Sequence, residues 1–371
     1  MKVLMISIDK GLLGRGQLGD VVERHRRYGE FCERLDIIVL SQPGFVNYQI
    51  SDKVMVYPTN SKKKWKYFFD AKRIGRGLFR QTSYDLVVTQ EPFLTGLVGV
   101  GLKKKFSSKL LVHFHGDFVG LPLLFAKLFV LPKADGIRVM SEGQKEKLIR
   151  AGISEKRIRV ISTPVDLMKF ETYGEKASEE ELLRNLTVSA REIKFVLMVG
   201  RKDLVKDFDT LFKAMNLVYE KHPETGLWLV GNYTNYSEVK QRLNLPADKI
   251  IFTSRVSSND LAAYYKIAYL TVLSSISESF GKVLIEANAC GKPVVSTATT
   301  GAKEIIKDGE NGFLVPIKDC KGLAKKIIYL LENPEVAKQM GEKGRTMVKE
   351  KFSDNTGKII QFWNNIINNK L

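Results

Sequence analysis

Two glutamates, Glu278 and Glu286, frame the segment Ser277-Glu278-Ser279-Phe280-Gly281-Lys282-Val283-Leu284-Ile285-Glu286-Ala287, the densest chemical signal in the chain. A glycine that opens a helix lets the backbone come close to a ligand. The unbonded N–H groups of the first helical turn can then hold a phosphate. Carboxylates accept hydrogen bonds from paired hydroxyls. Glu278, ahead of the helix, can therefore reach a bound sugar, and Glu286, on the helix, a ribose diol. One glutamate alone would be an ordinary solvated side chain, but the apolar run Val283-Leu284-Ile285 sets these two apart.

Upstream, the apolar run Phe195–Gly200 leads directly into Arg201, and Lys206 follows just before another helical stretch. Two cations at the carboxyl end of a strand suit a pyrophosphate, with an ordinary basic loop as the alternative. Near the start, Gly14-x-Gly16-x-x-Gly19 satisfies the dinucleotide-binding pattern literally. Two features oppose NAD: the first glycine lies several residues past the strand, and Leu40-Ser41-Gln42 supplies no acid for a ribose. The loop, with Gly16 inside it, is then a backbone-amide cradle near a phosphate or sugar, or a flexible cap on a helix.

The elements that must position these residues alternate along the chain. Val3–Ser7, Asp36–Leu40, Val54–Tyr57, Leu86–Thr89, Lys109–Phe114, Gly136–Val139 and Arg159–Ile161 read as strands, with helices over Gly19–Arg34, Lys64–Arg80, Pro92–Lys105 and Glu142–Ala151. The pattern restarts with strands at Phe195–Gly200, Gly226–Val230, Ile250–Phe252, Leu270–Leu273, Pro293–Ser296 and Gly312–Val315. Strands alternating with helical stretches imply parallel sheets with crossover helices. The expected fold class is α/β: two doubly wound Rossmann-like domains facing a cleft, with ligands at the carboxyl ends of the strands. The expected boundaries are 1–165, 166–350 and a C-terminal helix over 351–371 that crosses back to the first domain.

The 371 residues suit two domains, and 44% apolar with 27% charged residues excludes disordered, collagenous and coiled-coil classes. Three scattered cysteines, Cys32, Cys290 and Cys320, offer no disulfide framework and point to a reducing cytoplasm. The longest apolar stretch, Phe118–Pro132, is too short to span a bilayer, so the protein is expected to be soluble or attached to a surface. The net charge of +18 is uneven. Residues 1–170 carry 30 Lys and Arg against 16 Asp and Glu, and the remainder nearly balances. An anionic partner is implied.

On a helix over residues 60–80, Lys66, Arg73, Arg76 and Arg80 share a face with Trp65 and Phe69, opposite Tyr67, Ala71, Ile74 and Leu78. A cationic face with embedded aromatics suits the headgroup layer of an anionic membrane; a solvated basic helix is the alternative. Phe118–Leu131 is a second apolar contact candidate, for a lipid tail or for the core. No nucleic-acid-binding module is recognisable, and no nucleic-acid partner is expected.

Taken together, the chain resembles the GT4-type retaining glycosyltransferases with the GT-B architecture over essentially its whole length. The Glu278/Glu286 pair with Ser279-Phe280-Gly281, the run Ala287-Asn288-Ala289-Cys290-Gly291-Lys292-Pro293, Gly200-Arg201 with Lys206, Gly301 with Glu304, and Asp308–Val315 carry the resemblance. In the first half it rests on the glycine loop and His115-Gly116-Asp117. It implies a UDP- or GDP-sugar donor on the second domain, an acceptor hydroxyl entering from the first, and retention without a clear protein nucleophile. The acceptor is then a lipid-linked or membrane-associated glycan, and the enzyme sits peripherally on the inner face of the cell membrane. The departing diphosphate would be stabilised by Arg201, Lys206 and the helix start at Phe280-Gly281.

By the same resemblance Ser279 and Lys282 belong to the donor site, Val256 meets the base and His115 the donor sugar. Asn288 stands where the family commonly has Met, which is expected to be a packing change. Asp207-Phe208-Asp209 resembles the metal motif of a different glycosyltransferase fold, but here it opens a helix, so neither metal nor cofactor is expected. A sugar-nucleotide epimerase on the same architecture and a basic nucleic-acid- or anion-binding protein are the competing functions.

Overall fold

The computed structural model describes residues 1–14, 20–116, 118–171, 192–200, 204–231, 241–254, 256–257, 260–353 and 355–371. They form two units, Met1–Pro164 together with Asp354–Leu371, and Val165–Ser353. The first unit holds β1 (Lys2–Ser7), β2 (Arg34–Val39), β3 (Tyr48–Ser51), β4 (Val54–Pro58), β5 (Leu86–Thr89), β6 (Lys109–Phe114), β7 (Gly136–Val139) and β8 (Ile158–Val160). Their order in the sheet is β3-β4-β2-β1-β5-β6-β7-β8, parallel except for the β3–β4 pair. Alternation along the strands divides the core in two. Val3, Met5, Leu35 and Ile37 face α1 (Val21–Glu30) and the C-terminal helix Asn355–Ile367, whose Trp363 is fully buried. Leu4, Ile6, Ile38 and Val112 face α2 (Tyr67–Gln81), α3 (Leu94–Phe106), α4 (Gly120–Phe129) and α5 (Glu142–Arg150).

Two of these elements were not expected. β3 is a short, half-exposed edge strand with a register shift between Gln49 and Ser51, so no clean alternation marks it. α4 is apolar on nearly every side apart from Lys127, which leaves no helical contrast to read. Its Pro122 lies in the first turn, where the missing N–H is harmless.

The second unit is built on β9 (Lys194–Val199), β10 (Thr225–Val230), β11 (Ile250–Thr253), β12 (Leu270–Leu273), β13 (Val294–Thr297) and β14 (Gly312–Val315). The order β11-β10-β9-β12-β13-β14 is parallel throughout, the doubly wound 3-2-1-4-5-6 arrangement. Its helices are α6 (Leu167–Glu171), α7 (Phe208–Lys221), α8 (Leu261–Ile267), α9 (Lys282–Ala289), α10 (Thr300–Ile305), α11 (Cys320–Glu332) and α12 (Pro334–Phe352). Val196, Met198, Leu227 and Val272 pack on Leu211 and Met215 of α7 and Leu323 and Ile327 of α11. On the opposite face Trp228 meets Phe195 and Tyr264 edge-on and donates its indole N–H to Thr253 Oγ1 at 2.9 Å. No described helix is long and apolar enough to cross a membrane.

The first core also carries a pH dependence. His25 is buried, Nδ1–H donating to Val21 O at 2.7 Å, and burial with the Arg24 charge lowers its pKa to about 3. The unfolded chain, near 6.5, binds the proton first, so stability is lost as pH falls through the window between the two values. From pH 6.5 to 5 the loss attributable to His25 is about 2 kcal/mol. The urea midpoint of the first unit's transition should fall with acid in the parent, at unchanged slope, and depend less on pH in His25→Gln.

Candidate functional site

Ligands of doubly wound sheets bind outside the carboxyl edge, where the strand order reverses. In the second unit that point lies between β9 and β12. The 3-10 turn Leu204–Lys206 comes after β9 and residues 274–281 follow β12, so Lys206 and Glu278 flank one crevice. Arg201 lies outside the described residues, as does Gly16 in the first unit.

Lys206 ends a 3-10 turn (Leu204–Lys206) and reaches Glu278 Oε2 at 2.6 Å. The turn is sewn to the β12 loop. Ser274 Oγ donates to the carbonyls of Lys206 and Asp207 at 2.8 and 3.1 Å, and the Ile276 N–H to Val205 O at 2.8 Å. Asp207 takes a left-handed conformation, φ 43°, and caps α7, receiving the Thr210 N–H on Oδ1 and the Thr210 hydroxyl on Oδ2. Asp209 pairs with Arg242. The acidic pair is thus committed to helix capping and an ion pair.

Gly281, at φ 75°, precedes α9, and no side chain caps it. Its own turn lies against Glu278, whose Cγ is 3.6 Å from the position of a Cβ there. Phe280 contributes backbone only, since its ring is buried edge-on against Phe352. The Glu278 carbonyl accepts the Gly301 N–H at 2.7 Å, which pins the loop to α10. Ser279 and Lys282 are half-buried beside this turn, and Val256 is half-buried in the loop after β11.

Glu286 is only 4% exposed. Tyr265 on α8 donates its hydroxyl to Glu286 Oε2 at 2.8 Å, and Lys282 lies 3.4 Å from Oε1. Burial, then the nearby carboxylate, raises the Tyr265 phenol well above its ordinary range, so it remains a donor. Sequence reasoning passed over Tyr265 because one tyrosine on a short helix has no spacing that signals a partner.

The structure corrects the account of Asn288. It is fully buried and hydrogen-bonded rather than simply packed. Its amide donates to Lys292 O at 2.9 Å and Asn311 O at 3.2 Å, and its Oδ1 receives the Asn311 amide at 2.7 Å. Asn311 also holds the Lys307 N–H at 2.8 Å. These bonds tie α9 to the turn before β14. Asn288→Leu, apolar and of similar bulk, removes one partner of the Asn311 amide, which keeps Ile305 O at 3.1 Å, and the donor to the Asn311 carbonyl, and is expected to cost about 1–3 kcal/mol, read as a lowered Tm. A Tm equal to the parent's would show that the network is not needed.

In the first unit His115 follows β6, half-buried, its Nε2 3.3 Å from His113 Nδ1. Burial and the Arg138 charge lower its pKa to about 3, so it acts as a neutral imidazole at pH 7. His113 is buried. Gln144, another residue the sequence did not single out, donates to Gly116 O at 3.1 Å and accepts the Met140 N–H at 2.7 Å, fixing the turn after His115.

On α2, Ala71 and Leu78 are buried, and Arg73 and Arg80 are exposed. Trp65 and Phe69, ahead of and within the first turn, are 63% and 61% exposed and meet edge-on. Lys66 lies over the Trp65 ring at 5.4 Å. Lys72, Arg73, Arg76 and Arg80 line an open pocket of about 660 Å³ with Phe68 and Phe69. The Arg76 Nε there is buried without a hydrogen-bond partner.

Comparison with known proteins adds identity to this geometry. The family described as "Glycosyl transferases group 1" matches residues 180–347, and "Glycosyltransferase Family 4" matches residues 30–169. A relative named "uncharacterized glycosyltransferase" from Haemophilus influenzae is 26% identical over 86% of this chain and 87% of its own length. Sucrose-phosphate synthase from Thermosynechococcus elongatus superposes with a TM-score of 0.84 at 24% identity over the whole of both chains. Anabaena HepE, solved in complex with UDP and glucose, superposes with a TM-score of 0.78 at 20% identity over 97% of each. These two structures share the fold.

Proposed function

The chain belongs to the GT4-type glycosyltransferases of the GT-B fold, and from that premise we propose that it moves a sugar from a UDP- or GDP-sugar to an acceptor hydroxyl with retention. The observation that carries this reading is the convergence of Lys206, Glu278 and the uncapped turn at Gly281 on one switch point, with the buried Glu286 on the helix this turn opens. Glu286, oriented by Tyr265, accepts the ribose hydroxyls, and Glu278 accepts those of the transferred sugar. The first amides of α9, with Lys206 and Arg201, face the diphosphate.

As the bond from the anomeric carbon to the diphosphate breaks, positive charge grows on the sugar ring and negative charge on the leaving group. The acceptor oxygen takes the vacated place on the same face, and its hydroxyl proton passes to the departing diphosphate oxygen. The protein's part is electrostatic and preorganised: fixed donors await the leaving oxygens and need no reorganisation at the moment of reaction. Neutral His115 serves the donor sugar by hydrogen bonding. In this proposal no metal takes part, and the commitment of Asp207 to the α7 cap supports it.

The proposed acceptor is a lipid-linked or membrane-associated glycan, met at an anionic membrane surface on the cytoplasmic side. The exposed cations and aromatics of α2 support that choice. A thermal-shift screen over sugar nucleotides tests the proposal. One nucleotide class should stabilise the protein, by an amount that grows with the logarithm of its concentration and reaches about 2.7 kcal/mol at roughly a hundred times its Kd. Turnover with that donor should survive a chelator and give a product of unchanged anomeric configuration. Stabilisation by DNA or RNA with none from any sugar nucleotide would overturn the proposal. Interconversion of free sugar nucleotides without an acceptor would replace transfer by epimerisation.

A further inference from the structure

A crossover helix ordinarily buries one stripe on its sheet and shows a polar face to water. α4, with the sequence GLPLLFAKLF, does the first and not the second. Its Ala126 is buried in the core, while Leu121 (80% exposed), Leu124, Leu128 (56%) and Phe129 face solvent. At 100° per residue Leu121, Leu124, Phe125 and Leu128 form one stripe. Phe93 and Phe118, edge-on at 4.7 Å, floor an open apolar groove of about 720 Å³ beneath it. A contiguous apolar patch of this kind marks an interaction site.

Charge decides what covers it. α2, α3 and α4 pack on the same face of the first sheet. In a parallel sheet such helices run antiparallel to the strands, so their starts share the carboxyl edge. Trp65 and Phe69 at the start of α2 therefore lie along the same edge as Leu121 and Leu124 at the start of α4. Along α2, α3 and α4 stand Lys72, Arg73, Arg76, Arg80, Lys103–Lys105 and Lys127 against one acid within these helices, Asp70; Lys103 is paired with Asp135 at 2.6 Å, and α5 on the same face balances Glu142 and Glu146 with Lys145, Lys147 and Arg150. A second copy would bring the same positive layer against itself. An anionic bilayer satisfies both features, with phosphates for the cations and an acyl region for the stripe.

We propose that α4 is a membrane-insertion helix whose Leu121–Leu128 stripe sinks into the acyl boundary of an anionic bilayer while the α2 and α3 cations hold the lipid phosphates. It rests on the membrane-surface reading above and adds the element that resists salt. Electrostatic attachment fades when the screening length falls to several Å at about 0.5 M salt, whereas apolar insertion persists.

The test is sedimentation of the full chain with phosphatidylglycerol-containing vesicles at low and high salt. The parent should bind and keep a salt-resistant fraction. The double variant Leu124→Asp, Leu128→Asp should lose that fraction and bind about 10- to 100-fold more weakly, with its thermal transition intact. Leu124→Ser with Leu128→Ser replaces it if the aspartates impair folding. Arg73→Gln, Arg76→Gln, Arg80→Gln should lower low-salt binding and spare the salt-resistant part. Unchanged vesicle binding in the leucine variants, with loss in the arginine variant, would overturn insertion and leave the electrostatic surface standing. No vesicle binding by the parent would remove both. A parent dimer that the leucine variants turn into a monomer, with vesicle binding unaltered, would overturn insertion and assign the stripe to a second copy.

Discussion

Lys206→Ala is expected to lower kcat by roughly 100- to 1,000-fold while the protein remains folded. The side chain is a preorganised cation at the switch point, and removing one such donor from a leaving group's site typically raises the barrier by about 2.7–4 kcal/mol. Two features of the structure separate this from a folding defect. The Lys206 turn is held by backbone bonds, the Ser274 hydroxyl to Lys206 O and Asp207 O and the Ile276 N–H to Val205 O, none of which involves the ammonium. The ammonium's partner is Glu278, a half-buried carboxylate that stays hydratable when left alone.

The loss should fall on kcat and kcat/KM together, as for an interaction made with charge that develops in the transition state. Arg201→Ala should behave on the same scale. Near-parental kcat in a folded Lys206→Ala protein would remove the lysine from the leaving-group site.

Gly301→Ala is the second large effect, and it comes from geometry alone. A Cβ at this position would stand 2.6 Å from Phe280 Cα and 2.7 Å from Phe280 C, and both are backbone atoms that no rotamer change can clear. The Gly301 N–H also donates to Glu278 O at 2.7 Å, so α10 and the glutamate loop are clamped at the point of clash. The loop must yield, carrying Glu278 and the start of α9 with it. A displacement of about 1 Å in groups that position a reacting centre can cost about 100-fold in rate. Overpacking of this kind costs about 1–3 kcal/mol of stability, so a lower Tm should accompany the lower kcat. An alanine variant with parental kcat and Tm would contradict the close approach.

Most of what places the site was legible in the sequence, because its signals are local. β-branched runs ending in glycine, cation or glutamate mark the carboxyl ends of β9 and β12, and Gly281 marks the start of α9. Five strands, Leu86–Thr89, Lys109–Phe114, Gly136–Val139, Leu270–Leu273 and Gly312–Val315, have in the structure the bounds read from the sequence. What escaped depends on contacts between distant segments. The Tyr265–Glu286 bond spans two helices, and the Asn288–Asn311 pair joins a helix to a loop. Neither residue type announces a partner at its own position.

β3 and α4 escaped for a different reason. Both depart from the half-buried pattern that makes periodicity readable, one by being short and half-exposed, the other by being apolar towards water. The same departure in α4 is what gives it a surface role.

The central claim, that a sugar nucleotide is held by the turn at Gly281 and the two glutamates, is tested most directly by amide hydrogen exchange with and without the stabilising donor. Lys282 and Val283 occupy the first two positions of α9, ahead of the Leu284 N–H that donates to Gly281 O at 2.9 Å, and their amides have no intrahelical carbonyl to bond, so they should exchange quickly in the free protein. On donor binding, exchange should slow across Glu278–Glu286 and across the loop that carries Lys206. A donor that binds and leaves both segments unprotected would contradict the assignment of the site.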